Sequence, residues 1–387
     1  MAKWRLGMLV NNSIMEYGFA PEWNLYYRLA EISAIQTLRD GTITGSKALI
    51  FGSGWSEEEC ENSFIGECIE RRLALNWNAE EFQWRTVASV LKAGNCFVLS
   101  DMQMQLLSSV NSEVAREEVA IPWMPGYFYG RDKDVDIPAD LVWLDTFKNG
   151  VELKSVRRTS NGLAAGNTLQ MARENAFHEL VERDAVLRWW WGLQEGARIG
   201  QADLASLGLD QPSENFEAFD ALVIGAENDV LTVVVTLRKD RLSFFGSGSG
   251  WSTKTALNKA LKEAVLAYVV SRNEEIPWIA ARPKSLSERQ FYHNRRHLLP
   301  FKFAVSPVRG GLLQDRSDSE KSVPGLPEDL IFLDLGRACG AYVLRALCPR
   351  YIPLDLDPIN VFPDGAGCDV SRSSLCFFDG LSPHPIY

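Results

Sequence analysis

The chain has 387 residues, 46% of them apolar and 23% charged, with a formal net charge of −10. This is the composition of a globular protein with ample core material, and its acidity argues against a nucleic-acid binder that works by neutralising phosphates. Seven cysteines without a CxxC and four histidines outside any metal-type cluster point to a reduced, cytoplasmic protein with neither a zinc site nor a Ser-His-Asp centre.

The N-terminal MAKWRLGMLVNNS has too short an apolar run for a signal peptide. No later stretch approaches the roughly twenty apolar residues of a membrane-spanning helix. The first turn signal is TLRDG at Thr37 to Gly41, where Asp-Gly accepts positive φ at low cost. An apolar, strand-like run follows, then GSGWS at Gly52 to Ser56, then a helical pattern. Ser56 with Glu59 fits a capping box, in which cap and third helical residue satisfy each other's orphan amides. On that helix Phe64, Ile65, Cys68, Ile69 and Leu73 fall on one side, with Glu67 and Glu70 on the other. Taken alone, this is the pattern of a solvated acidic face.

After an excursion from about Asn76 to Asp145, the order repeats. TFKNG at Thr146 to Gly150 is a second turn signal, and AAGNT at Ala164 to Thr168 opens a second helix that ends in Trp189-Trp190-Trp191. A third unit reads TLRKD at Thr236 to Asp240, then GSGWS at Gly248 to Ser252, then a helix running towards Asn273. The units span about 37–75, 146–191 and 226–273. In each, a glutamate stands eleven residues after the Ser or Thr cap: Glu67, Glu179 and Glu263. The first two continue to Glu70–Arg71 and Glu182–Arg183, so two helices carry ExxER.

Residues three apart on a helix share a face, so each pair presents two carboxylates together. Hard cations take oxygen ligands and arginine pairs phosphate bidentately, so four carboxylates beside two arginines suit magnesium and a polyphosphate. SNGLAAGNT also leaves free amides at a helix start, which favours anions, but it is not a P-loop and no P-loop lysine follows. Beyond the third helix, HNRRH at His293 to His297 reads as a solvated face and Gln314 to Asp329 as a surface loop. Leu330–Leu335 and Ala341–Leu347 read as strands. No clean boundary divides the chain, which implies one domain over 1–387.

The run SNGLAAGNTLQMARENAFHELVERDA (160–185) closely resembles the signature of the YcaO superfamily, and ENSFIGECIERR (61–72) resembles its first helix motif. The resemblance implies an α+β fold of repeated hairpin or strand–glycine loop–helix units packed around β-sheets in one core. It implies ATP and Mg2+ as cofactors, used to activate a peptide backbone amide. It places magnesium on Glu67, Glu70, Glu179 and Glu182, and ATP on Asn167 and Arg183, with Ser63 and Arg71 lining the site. Two positions depart from the family pattern. Met171 stands where members usually carry an acidic residue, with Glu174 or Asn175 the nearby candidates to replace it, and Ala164 stands where many have serine.

The tail 378–387 ends Pro383-His384-Pro385-Ile386-Tyr387, which resembles the PxPxP terminus of azoline-forming members, with Tyr387 in place of the last proline. Proline-spaced sequence favours an extended, stiff conformation. The terminal carboxylate of Tyr387 is then a candidate general base, and His384 a second. The implied function is cyclodehydration of Cys, Ser or Thr residues in a ribosomally made precursor peptide. The implied partners are a leader-binding, ubiquitin-activating-enzyme-like subunit and a flavin-dependent azoline dehydrogenase. A family member using an external nucleophile, giving a thioamide or amidine, is one alternative; a non-catalytic partner subunit is another.

Overall fold

The structure, a computed structural model, describes residues 15–94, 120–130, 133–144, 160–190, 194–206, 216–239, 242–272, 305–306 and 326–351. The TFKNG turn, HNRRH, most of the Gln314–Asp329 stretch and the tail with Pro383, His384, Pro385 and Tyr387 lie outside the described residues.

Three sheets and three long helices make up the described architecture, which is α+β. The first sheet runs β1 (Met15–Ala20), β2 (Leu25–Thr37) and β3 (Ile43–Gly54), all antiparallel. Its β2–β3 turn is the one expected from Asp40-Gly41: Gly41 has φ +79° and the Thr42 amide donates to Asp40 Oδ1 at 2.9 Å. A six-stranded sheet is built from β4 (Gln83–Thr86), β5 (Ala120–Phe128), β6 (Lys133–Pro138), β7 (Leu163–Gly166), β13 (Ile331–Ala338) and β14 (Ala341–Leu347). Its main path is β4-β5-β13-β14-β7, with β6 paired to β5. The excursion after the first helix thus supplies strands to this sheet. A five-stranded sheet follows the order β11-β10-β9-β8-β12, from β8 (Gly196–Arg198), β9 (Ala218–Glu227), β10 (Val230–Lys239), β11 (Leu242–Gly250) and the short β12 (Val305–Ser306).

The helices are α1 (Glu57–Leu75), α2 (Leu169–Trp190) and α3 (Thr253–Arg272). Each starts at its expected cap. The amides of Glu59, Met171 and Thr255 donate to Ser56 Oγ, Thr168 Oγ1 and Ser252 Oγ at 3.2, 3.1 and 3.2 Å, satisfying donors that a helix start leaves orphaned. The capping box is modified: Glu59 Oε2 accepts from the Trp55 amide at 2.9 Å, one residue before the cap, and its Oε1 takes Lys262 of α3.

The recurrent glycines lie on strands, where they let the helices sit flush on the sheet. A Cβ on Gly54 would fall 2.3 Å from the Cys60 amide nitrogen of α1. One on Gly166 would fall 2.3 Å from Ala172 N of α2, and one on Gly248 would fall 2.4 Å from Ala256 O of α3. Any side chain there would wedge strand from helix.

Apolar clusters show how the layers stack. Phe64, Cys68 and Ile69 of α1 share one core with Ile32 and Ile50 of the first sheet and with Leu163, Leu333 and Val343 of the six-stranded sheet. The first half of α2 (Ala176, Phe177, Leu180) covers the other face of that sheet at Ala164, Leu344 and Ala346. The second half of α2 (Ala185, Val186, Trp189) packs on the five-stranded sheet at Leu222, Ile224 and Phe245. Trp189 is core, stacked on Phe245 with ring centroids 5.9 Å apart. The opposite face of that sheet is covered by α3. The second unit differs from the other two: its strand β7 pairs with β14, brought in from the far end of the chain.

Candidate active site

The ExxER face of α1 is not a solvated stripe. Arg71 Nε donates to Glu67 Oε1 at 2.6 Å, and its Nη2 stands 3.9 Å from Glu70 Oε1. The second helix repeats this arrangement: Arg183 Nε donates to Glu179 Oε1 at 2.9 Å, and Nη1 stands 3.8 Å from Glu182 Oε1. The side chains of Glu70 and Glu182 are only 12% and 8% exposed. Burial, with Glu67 beside it and Glu179 across from α2, pushes the Glu70 carboxyl well above the usual range. Burial and Glu179 likewise raise Glu182, against the pull of Arg183. For Arg71 and Arg183, burial alone would lower the guanidinium; the adjacent carboxylates outweigh it and hold both above their ordinary value.

Three residues that the sequence reading left unassigned complete the cluster. Ser247 of β11 donates its hydroxyl to Glu182 Oε1 at 2.6 Å, and its backbone amide donates to Glu263 Oε2 of α3 at 3.1 Å. Glu263 keeps an exposed side chain, yet desolvation and then Glu182 push its carboxyl up to about 8. Arg345 of β14 is 4% exposed and sits in the field of Arg71, Glu179 and Glu70. Glu263 had a sequence signal, being the third glutamate at the same distance from a cap. Ser247 and Arg345 had none.

The remaining expected residues are placed differently. Ser63 and Asn167 are exposed near the starts of α1 and α2, and Ala164 is buried in the core beneath α2. Met171 is 46% exposed. Neither proposed substitute joins the carboxylates: Glu174 accepts from Gln170 at 3.0 Å, and Asn175 donates to the Ala165 carbonyl at 2.9 Å. Behind the site His178 is buried, edge-on to Trp251 at 4.8 Å, and burial followed by Lys259 lowers it to about 3, so it stays neutral.

Glu67, Glu70, Glu179, Glu182 and Glu263 face Arg71, Arg183 and Arg345, with Lys259 at an exposed position where water screens it. Counted as fully ionised, the five carboxylates outnumber the three guanidiniums by two, the charge of one divalent cation; without a cation, burial and mutual repulsion hold Glu70, Glu182 and Glu263 towards the protonated form. All its acidic donors are hard oxygens, which suits Mg2+. Buried nitrogens Arg183 Nη1, Arg345 Nε and Arg345 Nη1 have no hydrogen-bond partner among the described residues, which suits an anionic ligand such as a phosphate. The residues present thus fit a magnesium ion together with a polyphosphate. As they stand, no three carboxylates among the described residues are close enough to hold a metal. Arg71 and Arg183 occupy the acidic pairs instead.

Residues 51–352 match the sequence model of the YcaO cyclodehydratase family, described as ATP- and Mg2+-binding. The chain belongs to the YcaO family. The cofactors of this family are ATP and Mg2+. An uncharacterised protein of Methanothermobacter thermautotrophicus is 23% identical over 354 residues, covering 85% of this chain and 88% of that one. Among solved structures, the YcaO protein of Methanopyrus kandleri bound with AMPPCP and Mg2+ aligns with a TM-score of 0.60 at 15% identity, over 90% of this chain and 89% of that one. A heterocyclase in complex with substrate and cofactor aligns at 0.60 and 18% identity, over 88% of this chain and 50% of the larger heterocyclase. A chain of the E. coli microcin synthetase McbBCD complex aligns at 0.59 and 15% identity, over 88% of each. At these identities the likeness is one of fold.

Proposed function

We propose that this YcaO protein is an ATP- and Mg2+-dependent cyclodehydratase that converts Cys, Ser or Thr residues of a ribosomally made precursor peptide to thiazolines or oxazolines. The observation that carries the reading is the convergence of two ExxER faces, Glu263 and Arg345 from four separate elements. Glu67, Glu70, Glu179 and Glu182 hold magnesium, and Glu263 joins them. Asn167, Ser63, Arg71 and Arg183 bind ATP, with Ala164 behind them.

The substrate's own side chain attacks the preceding backbone carbonyl, so no enzymic nucleophile is needed. ATP with magnesium supplies the phosphoryl group that lets the amide oxygen leave as phosphate. The guanidiniums offset the charge developing on that group. The nucleophile must lose a proton; the terminal carboxylate of Tyr387, at the end of the Pro383–Tyr387 tail, is the proposed base, with His384 the second candidate. The enzyme works in the cytoplasm with a leader-binding, ubiquitin-activating-enzyme-like subunit, and a flavin-dependent dehydrogenase oxidises its product.

Met171 favours a second reading, a partner subunit that has lost nucleotide use. Calorimetry with Mg·ATP on wild type and Glu179→Gln separates the two. Binding that the variant loses supports the enzyme, and a wild type without binding supports the subunit. With leader-binding subunit and peptide added, the reaction reads out by mass spectrometry as one water lost per ring. Residues appended after Tyr387 should abolish ring formation and leave ATP binding intact. Exchange of oxygen for sulfur in the product would sink cyclodehydration in favour of thioamide formation.

A further inference from the structure

Arg71 and Arg183 lie on the helices that supply the carboxylates, one turn beyond their partners. Arg345 comes from a sheet. It lies towards the C-terminal end of β14, opposite Leu163 of β7 and Leu333 of β13. Its neighbours along the strand alternate cleanly: Val343 and Leu347 pack in the core beneath α1, while Leu344 and Ala346 pack beneath α2. Strand alternation puts Arg345 on the α1 side, where Glu70 and Glu179 attract it and Arg71 repels it.

A buried guanidinium is costly unless its donors are met. Here Nε and Nη1 are buried with no hydrogen-bond partner among the described residues. If packing were the only demand on this position, an apolar side chain like those on either side of it would serve. Two unmet donors fixed on one rigid plane but aimed in different directions suit separate oxygens of a phosphate chain better than a single carboxylate.

We propose that Arg345 binds the phosphate chain of the nucleotide, its Nε and Nη1 donating to separate oxygens from the strand side while the helix carboxylates hold the cation. This rests on the ATP reading above. Its consequence is a crossed effect. The Arg345 charge opposes a lone cation among the same carboxylates but attracts the anionic nucleotide, so removing it acts oppositely on the two ligands.

The test is calorimetry on the full chain with Mn2+ alone and with Mg2+ plus a non-hydrolysable ATP analogue, for wild type, Arg345→Met and Arg345→Lys. Arg345→Met should bind the nucleotide about ten- to a hundredfold more weakly, the size of a lost charge-assisted pair, and bind Mn2+ several-fold more tightly. Arg345→Lys keeps the charge without the two fixed donor directions, so Mn2+ affinity should hold while nucleotide affinity falls. Unchanged nucleotide affinity in either variant overturns the proposal. So does a parallel loss of Mn2+ and nucleotide, the mark of a merely structural counter-ion. If Arg345→Met does not fold, Arg345→Lys decides by the same criteria. Wild type that takes Mn2+ but no nucleotide overturns the ATP reading itself, an outcome distinct from normal wild-type binding with unaltered variants.

Discussion

Replacing Glu182 with glutamine should separate stability from ligand binding. Glu182 is 6% exposed, accepts from Ser247 Oγ at 2.6 Å and lies in the field of Glu179 and Glu263. Glutamine keeps the volume and the acceptor oxygen but removes the buried negative charge that the carboxyl carries once it ionises. Burial and Glu179 raise the Glu182 carboxyl above its ordinary value, so holding it ionised costs ligand-free stability once the pH lies above that ordinary value. The pull of Arg183 is already outweighed in that shift, so the ligand-free protein should gain on the order of 1 kcal/mol at mildly alkaline pH. Each kcal/mol raises Tm by about 1–2 °C in a chain of this length. With Mg·ATP at roughly a hundred times its Kd, wild type gains about 2.7 kcal/mol, and Glu182→Gln should gain little of it. The melting order therefore inverts: the variant melts higher alone, wild type higher with ligand. Differential scanning fluorimetry at mildly alkaline pH, with and without Mg·ATP, reads both. A variant that melts lower without ligand, or that gains the full ligand shift, would refute the reasoning.

Three further outcomes are expected. Gly248→Ala puts a Cβ 2.4 Å from the Ala256 carbonyl oxygen and should lose about 1–3 kcal/mol in chemical denaturation, whereas Gly66→Ala, in the interior of α1 with nothing within 4 Å, should gain about 0.5–1 kcal/mol. His178 is held neutral in the fold, its pKa lowered from 6.5 to about 3, while the unfolded chain takes up a proton below 6.5. Its contribution is therefore complete above the unfolded value and is lost as pH falls towards the folded one, at up to about 1.4 kcal/mol per pH unit; His178→Phe should flatten that acid limb of the denaturation midpoint. Glu263 has the opposite sign: its pKa rises from 4.5 to about 8, so ligand-free stability is highest below the lower value and declines as pH climbs through the upper one. Mg2+ binding needs the ionised form, so its affinity should rise with pH and level off above about 8. Calorimetry on Glu263→Gln should show that rise weakened, and an unchanged pH profile would remove Glu263 from the cation site.

Much of the site was legible along the chain because the signals are local. A Ser or Thr cap fixes where a helix begins, and a helix fixes which residues share a face. Ser56 and Glu67, Thr168 and Glu179, Ser252 and Glu263 could thus be matched before any packing was known. The Asp40-Gly41 turn and the two late strands were legible for the same reason. The glycines were read less well. Spacing alone does not separate a phosphate-cradling loop from a strand that must let a helix lie close, and Gly54, Gly166 and Gly248 are of the second kind.

Tertiary structure decided what meets what. The sequence by itself determined that α1 and α2 each carry a paired-carboxylate face, because i and i+3 neighbours follow from helical geometry. It did not determine that those faces are buried, since a wheel cannot tell solvent from a facing helix. Nor did it place Ser247 between Glu182 and Glu263, or Arg345 beside Glu70 and Glu179. Those meetings depend on β14 pairing with β7 across nearly half the chain, and on α2 lying between two sheets. Such contacts arise from apolar burial over many residues, which sets the layers and carries the charged side chains to wherever the layers bring them.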